Sequence, residues 1–167
     1  MQANEEEKNK AMKFAMKLIG LRKRSVFEIE TRLKEKGFDR SLAQEVIAEL
    51  RKFKYLDDES FAESYINDRV NFRPAGKFVI RNELKKRGIS TDVIENKLKE
   101  LLDSEKELSL AENLIRKKIK IINSREPQRI RNKLLYALRS RGFSSEIISQ
   151  ALQNTLELDE NINSEDY

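Results

Sequence analysis

The stretch IETRLKEKGF, from Ile29 to Phe38, decides the fold because the chain repeats it twice in altered form. The second copy is IRNELKKRGI, residues 80–89, and the third is LLYALRSRGF, residues 134–143. In each copy a glycine follows a basic residue and precedes a large apolar one, and the glycines lie 51 and 54 residues apart. Self-similarity at such a period indicates a tandem array of one supersecondary unit.

Apolar residues recur at fixed distances from each glycine. Positions eight and four residues before it lie one helical turn apart on one face, and positions five and ten residues after it are also apolar. The twelve residues are Ile29, Ile80, Leu134; Leu33, Leu84, Leu138; Leu42, Val93, Ile147; and Ile47, Leu98, Leu152. The pattern predicts a helix that ends at a left-handed glycine in a Schellman motif, followed by a second helix.

A further helix precedes each pair, over residues 4–21, 59–71 and 105–122. Ser25 with Glu28 and Ser104 with Glu107 have the spacing of capping boxes, and Pro127 suits a first helical position. We therefore predict an all-α fold of three tandem three-helix, helix-turn-helix-like modules in an elongated, curved chain. The modules are residues 1–56, 57–104 and 105–156, and residues 157–167 form an acidic, disordered tail.

Composition excludes several classes of protein. The chain has no cysteine, which rules out disulfides and favours a cytoplasmic location, and no histidine, the commonest general base and zinc ligand. Gly20 and Gly76 are isolated, so there is no phosphate-binding loop. No apolar run approaches the roughly 18 residues of a membrane span. We expect a soluble monomer that is not an enzyme and holds no metal or cofactor.

Three adjacent carboxylates, Asp57, Asp58 and Glu59, allow two interpretations. They could hold a metal ion, but no histidine, cysteine or glycine-rich calcium loop supplies further ligands. They also fall where the second module's first helix begins, where a carboxylate accepts hydrogen bonds from free N–H groups. We therefore predict a helix cap, and take Asp57 and Asp58, with Gly37, Gly88 and Gly142, as structural signature residues.

Basic residues concentrate in the outer modules. Residues 11–56 and 105–156 each carry a net charge of +6, residues 57–104 carry −1, and residues 157–167 carry −5. In one interpretation, the basic residues before each glycine only stabilise the helix dipole, and the other basic residues lie on solvated helix faces. In the alternative interpretation, the basic residues contact a repeating polyanion. The candidate contacts are Arg22, Lys23, Arg24, Lys34, Lys36, Arg73, Lys85, Arg87, Lys117, Lys118, Lys120, Arg139 and Arg141. Tyr55, Tyr65, Tyr136 and the phenylalanines lie mainly at core spacing, so we expect no base stacking.

With the repeat established, the chain resembles the RecX family of bacterial recombinase regulators. In module one the resemblance is carried by Arg24-Ser25, Glu28-Ile29, Leu33 and Lys36-Gly37-Phe38. In module two it is carried by Tyr55-Leu-Asp-Asp58, Phe61-Ala62, Tyr65, Arg69, Gly76, Ile80, Leu84 and Arg87-Gly88-Ile89. Module three matches more weakly, through Leu138, Arg141-Gly142-Phe143 and Ile147-Ile148. Ile29 stands where the family often has leucine, and the acidic tail is outside the pattern.

The resemblance implies a protein that binds along the RecA–DNA filament and modulates, by inhibition, its ATPase, strand-exchange and co-protease activities. DNA contacts would be weak and salt-sensitive. An alternative is a helix-turn-helix transcriptional regulator, although such proteins normally use one recognition helix per subunit and dimer symmetry. A helical adaptor that binds no nucleic acid is a third possibility, which the charge distribution disfavours.

Overall fold

The computed structural model of the chain describes residues 2–123 and 126–164. Within these ranges the chain forms nine helices and no strand, which confirms the predicted all-α fold. No helix among the described residues is long and apolar enough to cross a membrane. The helices are α1 (Gln2–Leu21), α2 (Val26–Glu35), α3 (Arg40–Lys52), α4 (Asp58–Asn71), α5 (Lys77–Lys85), α6 (Thr91–Leu101), α7 (Ser104–Ile119), α8 (Pro127–Arg139) and α9 (Ser145–Ser164).

The three repeated glycines end α2, α5 and α8 in the left-handed conformation, as predicted. Their φ angles are 92° at Gly37, 76° at Gly88 and 78° at Gly142. At the first of them, the Phe38 N–H donates to the Leu33 carbonyl at 3.2 Å and the Gly37 N–H donates to the Lys34 carbonyl at 3.0 Å. The other two ends repeat this pair of bonds, which is the Schellman motif.

The repeated apolar registers form the cores. Eleven of the twelve residues are buried, and Val93, the exception, is half-buried beside the fully buried Ile94. Contacts divide the chain into two compact units. One comprises the residues up to Ser64 with Leu84–Ile94, and the other comprises Tyr65–Glu83 with the residues from Glu95 onward. Helices α1–α3 build the core of the first unit, and α7–α9 build a core in the second.

Of the predicted helix-start signals, those at Ser25 and Pro127 are present and that at Ser104 is not. Ser25 and Glu28 form the predicted capping box, each side chain accepting from the other's backbone N–H, and Pro127 opens α8. The predicted capping box of Ser104 is wrong. Asp103 is the cap, since its Oδ1 accepts the Lys106 N–H at 2.8 Å while Ser104 is already the first helical residue.

The C-terminal end of α9 differs from the expected disordered tail. The helix continues to Ser164, so residues 157–164 are helical, whereas residues 165–167 lie outside the described residues. Adding residues to an existing helix avoids the cost of nucleation, so α9 can continue beyond Leu156.

Candidate functional site

Modules one and two each have an elbow, defined here as the loop between the module's first and second helices together with the first turn of the second helix. The elbow of module one contacts the helix stop of module two, within the first compact unit. Ser25 is fully buried, and its hydroxyl donates to the Arg87 carbonyl at 2.7 Å. A Cβ on Gly88 would lie 2.3 Å from Phe27 Cβ, so only a glycine fits against this side chain.

The acidic residues of the opening turn of α4 have separate structural roles. Asp57 Oδ1 accepts the N–H groups of Glu59 and Ser60 at 3.0 and 3.1 Å, which confirms the predicted cap. These backbone bonds, that from Ser60 foremost, lower the pKa of Asp57 against the opposing effect of burial. Asp58 instead accepts the Val26 N–H at 2.9 Å, so it holds the elbow of module one. Burial raises the pKa of Asp58, and the Val26 bond only partly offsets it.

Basic residues of the same elbow also have partners within the unit. Arg22 forms a bidentate pair with Glu28, at 2.9 and 3.0 Å. Burial alone would raise the pKa of Glu28, but the hydrogen bond and charge of Arg22 lower it below its ordinary value. Lys23 Nζ donates to the hydroxyls of Ser60 and Ser64 on α4, at 3.0 and 2.6 Å. These contacts favour a structural contribution from Arg22 and Lys23.

Arg24, the third of these predicted contacts, is half-buried and its Nε is buried without a hydrogen-bond partner. Burial, together with the neighbouring charge of Arg22, lowers the pKa of Arg24.

The elbow of module two contacts the helix stop of module three in the same way, within the second unit. The Gly76 N–H donates to the Arg141 carbonyl at 2.9 Å. A Cβ on Gly76 would lie 2.4 Å from the Gly142 carbonyl oxygen, and one on Gly142 would lie 2.5 Å from a Val79 methyl. In both units, therefore, the carbonyl of the basic residue before the glycine accepts a hydrogen bond from the preceding elbow.

Buried Glu107 completes this second contact. Only 4% exposed, it accepts the Lys77 N–H at 2.9 Å through Oε1 and pairs with Lys77 Nζ at 3.3 Å through Oε2. It thereby satisfies the first free N–H of α5 from another helix. The sequence placed Glu107 in a capping box of α7, and its true role depends on the tertiary fold.

Gly37 differs from the other two stops in its surroundings. Nothing lies within 4 Å of the position where its Cβ would stand. Its left-handed φ angle is therefore required by the helix end alone, whereas Gly88 and Gly142 are also required by packing.

The basic residues before the repeated glycines fall into two groups. Three positions before the glycine, the basic residue is exposed in all three modules; these residues are Lys34, Lys85 and Arg139. One position before it, Lys36 is exposed, but Arg87 and Arg141 are half-buried, and Arg141 Nη1 also donates to the Ala137 carbonyl at 3.3 Å. Only the first group presents a cation at an equivalent, exposed register in every module. Arg73, in the loop before α5, is also exposed.

Module three has a groove between the end of α7 and α8, called here the third-module groove. Of the predicted contacts, Lys118 lines it, while Lys117 and Lys120 are exposed nearby on the same helix end. Sequence reasoning missed the groove residues on α8, namely Arg129, Lys133 and Tyr136. Their spacing of four and three residues places them on one helical face, and that spacing was the available signal.

The expectation that the aromatic residues are mainly core residues is wrong. Tyr136 is 77% exposed, and several others exceed one-third exposure. Helix periodicity assigns residues to a face, but the neighbouring helices decide which faces are covered. Spacing alone therefore could not show whether these aromatic residues are buried or exposed. The other exposed aromatic residues are Phe27, Phe53, Tyr55, Phe72 and Phe78.

Tyr65 and Arg69, two residues that carry the family resemblance, converge on one carboxylate. The Tyr65 hydroxyl donates to Glu83 Oε2 at 2.9 Å, and Arg69 Nε lies 3.0 Å from the same oxygen. Both contacts join α4 to α5 in the second unit. Throughout the described part of the chain, no three aspartate or glutamate side chains group as they would around a metal ion.

Comparison with known proteins gives the same family in all three modules. The models of the RecX first, second and third three-helix domains match residues 11–50, 57–98 and 105–152. The chain is 32% identical to the regulatory protein RecX of Prosthecochloris aestuarii, over 92% of this chain and 98% of that protein. It is 34% identical to that of Pelodictyon phaeoclathratiforme, over 86% and 87%.

Some relatives are longer. The match to the Bacillus pumilus protein, at 32% identity, spans 86% of this chain but only 54% of the relative. Among solved structures, RecX from Lactobacillus salivarius superposes with a TM-score of 0.81 at 24% identity, over 90% of this chain and 97% of that one. The superposition shows a shared fold. With all three domain models matched in order, the chain belongs to the RecX family of regulatory proteins.

Proposed function

We propose that this protein binds along the RecA–DNA filament and lowers its ATPase, strand-exchange and co-protease activities. The proposal rests on membership of a family of regulatory proteins and on one structural observation. Each module presents an exposed cation three residues before its helix stop, namely Lys34, Lys85 and Arg139. A repeated protein with a repeated cation suits a target that is itself a repeating, negatively charged polymer.

The energetics of such binding follow from the number of contacts. A single exposed cation gains little from one partner, but linked modules convert later contacts into intramolecular events and so raise the overall affinity. Contacts with phosphate release counterions, so affinity should fall as salt rises. Binding at low salt and release at higher salt are therefore expected of this protein.

The test is RecA-dependent ATP hydrolysis stimulated by single-stranded DNA, with and without substoichiometric amounts of the protein. A decline in hydrolysis at ratios well below one protein per RecA supports the proposal. Unchanged hydrolysis at every ratio contradicts it. Footprinting on duplex DNA is the companion measurement, since a discrete protected site would favour the transcriptional regulator instead.

A matched pair of variants tests the structural observation. Changing Lys34, Lys85 and Arg139 to glutamine should weaken inhibition and flatten the salt dependence of binding. The control changes three exposed lysines outside the candidate contacts, Lys13, Lys17 and Lys99, and has the same net charge. Equal effects of the two triple variants would mean that net charge matters and the repeated register does not.

A further inference from the structure

The second helix of module three begins with an exposed stretch, since residues 127–133 are exposed except for the half-buried Ile130. In modules one and two the elbow contacts the helix stop of the next module, at Gly88 and Gly142 respectively. The equivalent surface of module three includes the third-module groove.

The residues at this surface change in character from the first two modules to the third. Ten residues before the glycine stand Phe27 and Phe78 in modules one and two, but Asn132 in module three. Nine residues before it, Glu28 and Val79 are replaced by Lys133. Of the residues in modules one and two, Phe27 lies against Gly88 and Val79 lies against Gly142. Module three has a polar and a cationic residue at these two registers, which suit a charged partner.

The charged residues that line the third-module groove, among those the structure describes, are all basic. They are Lys118 from α7 and Arg129 and Lys133 from α8, and no carboxylate in the described ranges lines the groove. Glu126, the residue before α8, stands one turn from Arg129 without lining the groove. At 1.5 Å per residue, Lys133 lies about 6 Å along α8 from Arg129. The groove thus offers a short row of cations.

The same groove also carries exposed apolar and aromatic surface. Tyr136 is 77% exposed and Ile121 is 73% exposed, and the half-buried Ile122 also lines the groove. An exposed tyrosine beside a row of cations matches the two needs of an unpaired nucleotide, a flat partner for the base and a positive charge for the phosphate.

We infer that the third-module groove binds single-stranded nucleic acid, with Tyr136 stacking on a base and Lys118, Arg129 and Lys133 contacting the flanking phosphates. The inference deepens the proposed function, on which it rests, by naming the DNA-contacting site. A duplex is a poorer ligand, since its bases are already stacked on each other. An acidic peptide would satisfy the cations but give the tyrosine ring no base to stack on.

The test measures binding of the full-length protein to a fluorescent oligothymidylate and to an abasic strand of equal length. Tyr136→Ala should weaken oligothymidylate binding by about 5- to 150-fold, the loss of one stacked base, and leave abasic binding unchanged. Tyr136→Phe, which keeps the ring, should bind like the wild type. Arg129→Gln with Lys133→Gln should weaken binding to both strands and flatten the salt slope by about 1.4, at roughly 0.7 per contact.

Matched controls use residues outside the groove. Tyr55→Ala removes an exposed tyrosine, and Lys13→Gln with Lys17→Gln removes two exposed charges. Both should bind oligothymidylate like the wild type, and circular dichroism should show all variants folded. Equal weakening by the groove and control variants would overturn the inference. So would unchanged binding by Tyr136→Ala, or polyglutamate competing as strongly as oligothymidylate, which would indicate a site for an acidic protein.

Failure of this inference differs from failure of the proposed function. If the wild type lowers RecA ATP hydrolysis but the groove variants bind oligothymidylate normally, the groove assignment is wrong and the regulatory function stands. If the groove variants lose binding while the wild type leaves RecA unaffected, the site stands and the proposed function is wrong.

Discussion

Replacing the helix-stop glycines by alanine separates the cost of a left-handed backbone conformation from the cost of steric overlap with a neighbouring residue. Gly37 and Gly88 both have a left-handed φ angle, 92° and 76°, and both belong to the first compact unit. They differ only in their surroundings. A Cβ on Gly37 meets nothing within 4 Å, whereas a Cβ on Gly88 would lie 2.3 Å from Phe27 Cβ. We predict that Gly88→Ala is clearly the more destabilising change.

The expected magnitudes follow from these two differences. A non-glycine residue in the left-handed region costs about 1–2 kcal/mol, which is the whole cost expected at Gly37. At Gly88 the new methyl group also overlaps its neighbour, since carbon atoms normally approach to about 3.5–4.0 Å. Phe27 Cβ is bonded to the backbone and cannot rotate away, so the overlap adds about 1–3 kcal/mol, as overpacking does elsewhere.

Urea unfolding followed by circular dichroism measures both costs. The difference in unfolding free energy between Gly37→Ala and Gly88→Ala should be about 1–3 kcal/mol, at an unchanged denaturant slope. Gly76→Ala is a third comparison in the other unit, where φ is not left-handed but a Cβ would meet the Gly142 carbonyl at 2.4 Å. It should show the steric cost alone.

Gly20→Ala is the control. It lies inside α1 with nothing near its Cβ position, and alanine favours helix, so the change should be neutral or stabilising by up to about 1 kcal/mol. Equal losses of unfolding free energy from Gly37→Ala and Gly88→Ala would refute the argument. They would show that the elbow of module one does not pack closely against the helix stop of module two.

Three further outcomes are expected. Asp58→Asn should stabilise the protein increasingly as pH rises from the ordinary pKa near 3.8 to the raised folded pKa, because the folded state favours the protonated carboxyl. If urea unfolding gave the same difference in unfolding free energy between variant and wild type from pH 3 to 7, this prediction would be contradicted. Glu107→Ala should lower the free energy of unfolding by about 1–3 kcal/mol, because it leaves the Lys77 N–H unsatisfied, and Glu107→Gln should lower it less. Similar losses from both variants in chemical denaturation would argue against the Glu107–Lys77 hydrogen bond. Lys23→Gln should lower stability more than Lys117→Gln, since only the former loses the hydrogen bonds to α4 described above, and equal thermal midpoints would disprove it.

Local physics explains what the sequence predicted correctly. A glycine after a basic residue, with apolar residues eight and four positions earlier, ends a helix whatever surrounds it, because the left-handed conformation and the Schellman bonds involve only neighbouring residues. The capping box of Ser25 with Glu28 and the cap at Asp57 are local in the same sense. The three-module fold could therefore be read from one chain, and the family resemblance agreed with it.

The remaining features depend on contacts between residues distant in sequence, and only the tertiary structure decided them. Glu107 has the spacing of a capping residue, yet it is buried against α5 because the N–H of Lys77 lies within its reach. Gly76 looks isolated in the sequence, but it is needed because the Gly142 backbone lies against it. Tyr136 lies at core spacing but is exposed, since the face of a helix is buried only where a neighbouring element covers it.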